Sequence, residues 1–424
     1  MIRAKWPTVR LGDHVDLLSG FPFKSKGFTS NPEDIPLVKG ANVHQGFIDW
    51  DTAQRWPANE LEEHAKFLLE PDDVVLAMDR PWIEAGLKWA WIRHEHPASL
   101  LVQRVSRLRG VNGLETRFLR YVIGSPSFSD YIRPIVTGVN VPHISGGQIK
   151  DYRFQLPPPA AQQKIASVLS SYDDLIENNT RRIAILEEMA QSLYREWFVE
   201  YRFPGHDKAR FVDSPFGKIP EGWRAQRLED WASEERRSVD PSEVDPDTPY
   251  FGLEHLPRRS ITLSEWGRAT DVQSTKLQFR KGEILFGKIR PYFHKVGVAP
   301  VDGVCSTDAI VIVPASARGF APVLCCASSD DFISHATQTS QGTKMPRANW
   351  DVLLKYPLPC PPEPLLTDFN ASINDLVASL RVLMMKNRNL RHARDLLLPK
   401  LMSGQLDVEN LDIDTGETLA GVEA

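Results

Sequence analysis

Two short stretches put a guanidinium beside an aromatic ring at matched places in the chain: Arg80-Pro81-Trp82 and Arg290-Pro291-Tyr292. Each follows a run of strand-forming residues, 74–78 and 283–286. An arginine can grip guanine or phosphate through paired N–H donors, and the aromatic can pack on a sugar or base. Farther along, two Gly-x-x-x-Pro turns carry polar side chains of different kinds. Asn140 and His143 belong to the first turn, Gly138 to Pro142; Lys344 and Arg347 belong to the second, Gly342 to Pro346. Different donors at the same station are what two readers of different bases would need. The alternative is plain surface chemistry: a solvated arginine beside a core aromatic, and variable polarity on an exposed turn.

Other chemistries fail on their own requirements. Gly282 through Gly287-Lys288 has the glycine spacing of a phosphate-binding loop, but Ile289 stands where a Ser or Thr should ligate magnesium. The residues between the glycines also read as a strand. Lys288 therefore remains only a candidate DNA contact beside Arg290. No Asp or Glu has a lysine two positions later, as a restriction-nuclease core requires. The proline clusters lack the leading acid and trailing aromatic of an adenine methyltransferase loop, and neither G-x-S-x-G nor H-E-x-x-H occurs. Cys305, Cys325, Cys326 and Cys360 form no C-x-x-C pair, so they read as reduced thiols and not as a zinc site. The expectation is a chain without a catalytic centre, metal or cofactor of its own.

The elements that position these residues come as one unit repeated. Leu11-Gly12-Asp13 is answered by Leu228-Glu229-Asp230, and Pro36-Leu37-Val38-Lys39-Gly40 by Pro249-Tyr250-Phe251-Gly252. The two arginine motifs and the two Gly-x-x-x-Pro turns follow in the same order. Each copy then ends on prolines, Leu156-Pro157-Pro158-Pro159 and Leu358-Pro359-Cys360-Pro361-Pro362. The offset drifts from 217 to about 204, as loop insertions would produce. Within each copy, short strand-like runs alternate with Gly, Pro, Asn and Asp, and one helical pattern interrupts the first at 116–123. The fold class predicted is α+β: two repeated mixed α/β domains with curved sheets, linked by two long helices.

Those helices announce themselves by period. Ile165, Leu169, Tyr172, Ile176, Asn179, Ile183, Leu186, Ala190, Leu193 and Trp197 step by four and three. Phe369, Ile373, Leu376, Leu380, Leu383, Asn387, Leu390, Arg394, Leu397 and Leu401 do the same. Each is a coiled-coil seam that needs a partner. An antiparallel pairing whose residue numbers sum to 566 sets Ile165 against Leu401, Leu193 against Ile373, and Asn179 against Asn387. Two polar residues then satisfy each other and fix the register. Ile165 to Trp197 is 32 residues, a rise of roughly 48 Å. Two readers held at such a length suit half-sites about one DNA turn apart. The outer face of the first helix, with Glu187, Glu188 and Arg195, is a candidate protein-docking surface.

Charge fits this picture. The net charge of −5 includes residues 407–424, which carry six acids and no bases. Residues 1–159 hold 19 basic against 18 acidic side chains, and 204–360 hold 20 against 20. Near-neutral domains argue against an indiscriminate basic surface but not against local phosphate contacts. No apolar run approaches the length of about 20 residues that a membrane span needs. No signal-peptide stretch opens the chain, so a cytoplasmic, membrane-free protein is expected. The predicted divisions are 1–159, a first recognition domain; 160–203, a central helix; 204–362, a second recognition domain; 363–406, a C-terminal helix; and 407–424, a flexible acidic tail.

Three stretches resemble a known family. They are Gln162-Gln163-Lys164-Ile165-Ala166-Ser167-Val168-Leu169, running on through Tyr172-Asp173-Asp174-Leu175-Ile176-Glu177-Asn178-Asn179; Ile219-Pro220-Glu221-Gly222-Trp223; and Leu398-Pro399-Lys400-Leu401-Met402-Ser403-Gly404. Together they are similar to type I restriction–modification specificity subunits, over nearly the whole chain. The second long helix departs from the pattern, opening Glu363-Pro364-Leu365-Leu366 without a Gln pair. The resemblance implies two target-recognition domains, each reading one half of a bipartite site on double-stranded DNA. It implies that the helices dock two methyltransferase subunits and, through them, restriction subunits. S-adenosylmethionine, ATP and magnesium would then sit on those partners, and this chain would supply only the address. The competing reading is a coiled-coil scaffold or adaptor whose two β-rich domains bind no DNA.

Overall fold

The computed structural model describes residues 6–83, 86–136 and 142–414. In the first repeat an antiparallel sheet takes the order Val15–Ser19, Val105–Gly110, Val74–Ala77, Trp89–Trp91. Val74–Ala77 is buried at every position, which is why its sequence is uniformly apolar and does not alternate. A second sheet runs Arg55–Trp56, Ile35–Val38, Leu100–Leu101, and its last pair is parallel. Three helices follow: α1 (Thr116–Ile123), α2 (Pro126–Ile135) and α3 (Gly146–Lys150). Helix α2 begins where Ser125 accepts the Phe128 N–H at 3.1 Å and Pro126 occupies the first turn. The first long helix, α4, is Pro159–Tyr194.

The second repeat rebuilds the same plan. Its four-stranded sheet runs Ala232–Glu234, Ala309–Pro314, Ile284–Gly287, Val296–Val298. Pro249–Phe251 and Gly303–Cys305 form the parallel pair that answers Ile35–Val38 and Leu100–Leu101. Ile284–Gly287 is hydrogen-bonded on both edges, so the glycine-spaced segment before Lys288 is a central strand and cannot wrap a phosphate. Helices α5 (Phe320–Ala327), α6 (Asp330–Gln338), α7 (Trp350–Leu353) and the second long helix α8 (Glu363–Met402) complete the chain. All four cysteines are free and buried.

By packing, the chain divides into two units, one Met1–Asp174 with Arg391–Ala424, the other Leu175–Leu390. In the first unit Ile165 and Leu169 of α4 share a core with Leu398 and Leu401 of α8. In the second, Ala190 of α4 shares one with Phe369, Ile373 and Leu380 of α8. There Asn179 Nδ2 donates to Asn387 Oδ1 at 2.9 Å, the pairing that belongs to a register sum of 566. Asn387 Nδ2 donates in turn to the Ile176 carbonyl and Thr180 Oγ1, both at 3.2 Å. The helices are antiparallel, as the seam predicts. Past Tyr194 the helix widens into one π-helical turn, Arg195–Val199. Trp197 and Phe198 both enter the core there, against Phe369.

Each unit clamps its helices with different chemistry. In the first, buried Gln162 donates to the Gly113 and Pro157 carbonyls at 2.8 Å and accepts the Glu115 N–H at 2.9 Å. Its repeat equivalent is Leu366, which is why the second helix opens without the Gln pair. Asn370, one turn later, takes over: its amide donates to the Arg318 carbonyl at 2.9 Å and accepts the Ala321 N–H at 3.4 Å. A second substitution of kind lies deeper. Tyr121 Oη donates to Asp173 at 2.8 Å, and Arg394 Nη1 reaches the other oxygen of that carboxylate at 2.8 Å. The three residues 204 positions away in the repeat are Cys325, Val377 and Ala190, an apolar cluster of the second unit.

Two expectations change. The acidic tail is not free from its start: Val408 is buried, Lys164 Nζ donates to the Glu409 carbonyl at 2.7 Å, and Ser167 Oγ donates to that of Asp414 at 2.5 Å. Apolar Leu406, Val408 and Ile413 interrupt the acids and give that segment something to bury. Residues beyond 414 lie outside the described ones. Glu188 and Arg195 are exposed, but Glu187 is not an open docking charge. Its carboxylate accepts from the Ser260 hydroxyl at 2.7 Å, the Thr262 hydroxyl at 2.6 Å and the Thr262 N–H at 3.0 Å.

Burial raises the Glu187 carboxyl above its ordinary 4.5, against the pull of those hydrogen bonds. A carboxyl whose folded pKa is raised binds its proton more tightly folded than unfolded, so stability falls as pH rises from about 4.5 through the folded value. Glu187→Gln should lack that loss, and thermal midpoints of the two proteins should diverge across that range. Parallel curves would refute the assignment. For the amide pair, Asn387→Leu strands the Asn179 amide and should cost about 1–3 kcal/mol. The double replacement Asn179→Leu with Asn387→Leu should recover that loss; additive destabilisation in melts would show the two amides to be uncoupled.

Candidate nucleic-acid interface

The two motifs singled out in each repeat are one structure. In the first, the chain leaves Val74–Ala77 and turns at Arg80, whose φ is 43°. The Arg80 N–H donates to the Pro142 carbonyl at 2.6 Å, and Asp79 and His143 face each other as an antiparallel bridge. In the second, Arg290 has φ 50°, its N–H donates to the Pro346 carbonyl at 2.7 Å, and Ile289 bridges Arg347. A left-handed conformation costs a non-glycine residue roughly 1–2 kcal/mol. Both copies hold the same strained turn with the same hydrogen bond, so the arginine turn rests on the proline turn twice over.

Their side chains are presented differently. Arg80 is exposed, while Arg290 is half-buried, with its Nε enclosed and unbonded among the described residues. Trp82 is half-buried, and the Arg133 guanidinium lies 4.5 Å from its ring. Tyr292 is 50% exposed and meets Phe293 edge-on at 4.9 Å. Lys288 Nζ donates to the Thr307 carbonyl at 2.5 Å, and the Lys288 carbonyl accepts the Ala348 N–H at 2.8 Å. Lys344, His143 and Arg347 are exposed, and Arg347 Nη2 stands 3.6 Å from Asp308. Asn140 lies outside the described residues.

Sequence reasoning missed several neighbours. Lys88 and Lys295 sit beside the arginine turns, and each is the first lysine after its Arg-Pro-aromatic motif, a signal available in the sequence. The tip of a small hairpin, bridged at Val43 and Ile48, shows Phe47 at 55% exposure. The His44 ring stacks on it at 4.9 Å, and the Gly46 N–H is anchored to the Trp89 carbonyl at 2.7 Å. Gly46 has φ 84°, which a side chain would strain. Burial first, then the nearby Lys88, hold the His44 imidazole below its ordinary value against the opposing Asp49. Among the described residues no three His, Cys, Asp or Glu side chains gather as a metal site. Exposed cations and aromatics on rigid turns suit the binding of an anionic backbone and base edges.

The chain has known relatives. Residues 4–188 match the family model for the type I restriction modification DNA specificity domain. The type I restriction enzyme MjaIX specificity subunit of Methanocaldococcus jannaschii is 26% identical over 309 residues, 71% of this chain and 71% of its own. The EcoAI specificity subunit of Escherichia coli is 31% identical over 188 residues, 44% of this chain but 31% of its own length. In fold, the chain is similar to the crystal structure of the type I restriction-modification S subunit from M. genitalium. The TM-score is 0.56 at 14% identity, covering 94% of this chain and 96% of the other.

The unequal exposure of the two aromatics can be measured. Trp82→Ala removes a ring that helps pack the first core and should destabilise by about 1–3 kcal/mol, whereas Tyr292→Ala should stay within about 0.5 kcal/mol. Denaturant melts of both proteins decide it; equal losses would contradict the difference in packing.

Proposed function

We propose that this chain is a specificity subunit of a type I restriction–modification system, as its relatives support, and that it reads a split target on double-stranded DNA, one half through each repeat. The observation that carries this is the doubled reading head. An arginine turn is locked to a proline turn by the same backbone hydrogen bond in both repeats, with different polar side chains displayed: His143 in one, Lys344 and Arg347 in the other. A shared frame with unlike donors is the arrangement needed to read two different half-sites. Arg80, Trp82, Asn140 and His143 serve the first half; Lys288, Arg290, Tyr292, Lys344 and Arg347 serve the second.

The long helices serve assembly. Two copies of one helical sequence offer two similar sites, which supports docking of two methyltransferase subunits, with restriction subunits joining through them. Asn179 and Asn387 keep the register on which both sites depend. The chain contributes the address and no chemistry; S-adenosylmethionine, ATP and magnesium belong on the partners. Among the described residues no helix is long and apolar enough to cross a membrane. The proposed place of work is the cytoplasm, where the DNA is.

Mapping methylated adenines in a genome carrying this system gives the target. Against that target, Arg80→Ala should weaken recognition of one half by about 1–3 kcal/mol, and Arg290→Ala that of the other. Uniform weakening across both halves would make the arginines phosphate contacts, and no effect would remove them from the interface. If the wild-type chain with its methyltransferase subunits gives no methylation pattern and shifts no duplex, the scaffold reading stands instead.

A further inference from the structure

We propose that Lys88 and Lys295 are matched positioning residues that hold the reading turns of the two repeats in their binding geometry. The proposal rests on the DNA-reading function above and goes beyond it by naming residues that act without touching DNA.

The match is structural, residue by residue. The Lys88 carbonyl accepts the N–H of Ala77, and the Lys295 carbonyl accepts that of Gly287, at 3.0 and 2.8 Å. Ala77 and Gly287 are the last residues of equivalent strands. Each lysine immediately precedes the edge strand of its sheet, Trp89–Trp91 or Val296–Val298. The side chains then reach to the same place. Lys88 Nζ donates to the Gly40 carbonyl and Lys295 Nζ to the Leu253 carbonyl. Gly40 and Leu253 each lie two residues beyond the equivalent strands Ile35–Val38 and Pro249–Phe251. In the first repeat the Lys88 N–H also donates to the Pro81 carbonyl at 2.7 Å, inside the arginine turn itself.

The placement is expensive for a purely structural tie. Lys88 is 9% exposed and Lys295 is half-buried. Burial pushes both ammonium groups below their ordinary value. The Arg80 guanidinium adds to this at Lys88, and Arg258 at Lys295, where Glu254 opposes it. An apolar side chain would fill such a site without the desolvation penalty. Yet both copies place a lysine there, although the intervening loop is three residues longer in the first. The exposed side chains of the Gly-x-x-x-Pro turns, His143 in one copy and Lys344 and Arg347 in the other, differ between copies while this inward one does not. That division fits one residue type for holding the frame and others for reading bases. The ammonium joins the loop after the parallel strand to the edge strand beside the arginine turn, and it adds positive potential behind the surface that DNA would meet.

The test uses the full-length chain with its methyltransferase subunits, on duplexes carrying the mapped target with either half randomised. Lys88→Met should lose about tenfold or more in discrimination of one half and leave the other half read normally. Lys295→Met should do the converse. Lys88→Arg, which keeps charge and donor, should recover most of the loss. The slope of log affinity against log salt should not change, because an inward ammonium releases no phosphate counterion. A slope smaller by about one would make Lys88 a phosphate contact and overturn the proposal. Equal loss in both halves, or no loss, would overturn it as well. Should Lys88→Met unfold, Lys88→Gln, which keeps a donor and drops the charge, carries the same comparison. Wild-type protein that discriminates neither half sinks the DNA reading itself. That result differs from a wild type that discriminates beside a variant that matches it.

Discussion

A hydrogen bond between two buried amides, Asn179 and Asn387, decides which residues of the two long helices face each other. Apolar seams alone tolerate slips of a whole heptad, because leucine packs on leucine in every register. A buried amide does not, since a slip of one heptad would set Asn179 against Leu380 or Arg394 and Asn387 against Tyr172 or Leu186, and the hydrogen bond between the two amides would be lost. In the other unit the Asp173–Arg394 ion pair imposes the same discipline. The carboxylate is almost wholly enclosed, so any register that removed the guanidinium would leave a buried charge with no counter-charge, only the Tyr121 hydroxyl. Both polar contacts sacrifice stability for a single arrangement of the seam, and the cores on either side inherit that arrangement.

The repeat is a repeat of backbone more than of chemistry. Its strand orders, parallel pairs and strained turns coincide, while the interior side chains that fasten helix to domain do not. The first unit fastens with Gln162 and with the Tyr121–Asp173–Arg394 chain. The second fastens with Leu366, Asn370 and the cluster around Cys325 and Ala190. Both solutions serve: in one the buried carboxylate meets a hydroxyl and a guanidinium, and in the other the equivalent positions carry no charge. They are not interchangeable pieces. Arg394 set against Val377 and Cys325, or Asp173 against Ala190, would bury a charge with no counterpart.

The features legible in the sequence were those that constrain the backbone directly. Prolines, glycines and the Leu-x-Asp openings recur at nearly constant offset, so the repeat could be read before any strand was assigned. The heptad seams were legible because long helices repeat their signal many times. Single-residue roles were less so. Gln162 and Asn370 do the same work one helical turn apart, and a comparison at fixed offset sets Gln162 beside Leu366 instead. Lys88 and Lys295 were obscured by the longer loop after Arg80. Glu187 looked like an outward charge because periodicity places it off the seam. It says nothing of the loop at Ser260–Thr262 that reaches over to meet it. Exposure of Tyr292 against cover for Trp82 depends on Arg133, more than fifty residues along the chain from Trp82.

The left-handed backbone at Arg80 and Arg290 has a consequence for how such a protein can change over time. Glycine, and to a lesser degree asparagine or aspartate, would sit at those angles with less strain than arginine does. Random improvement in folding stability therefore draws both positions toward small residues, and each such step discards a guanidinium. Under the proposed reading role of the two guanidinia, thermostability and target fidelity pull against each other at these two codons. A lineage under heat or mutational load would drift toward sturdier proteins that have forgotten their address, unless recognition itself is under selection in every generation.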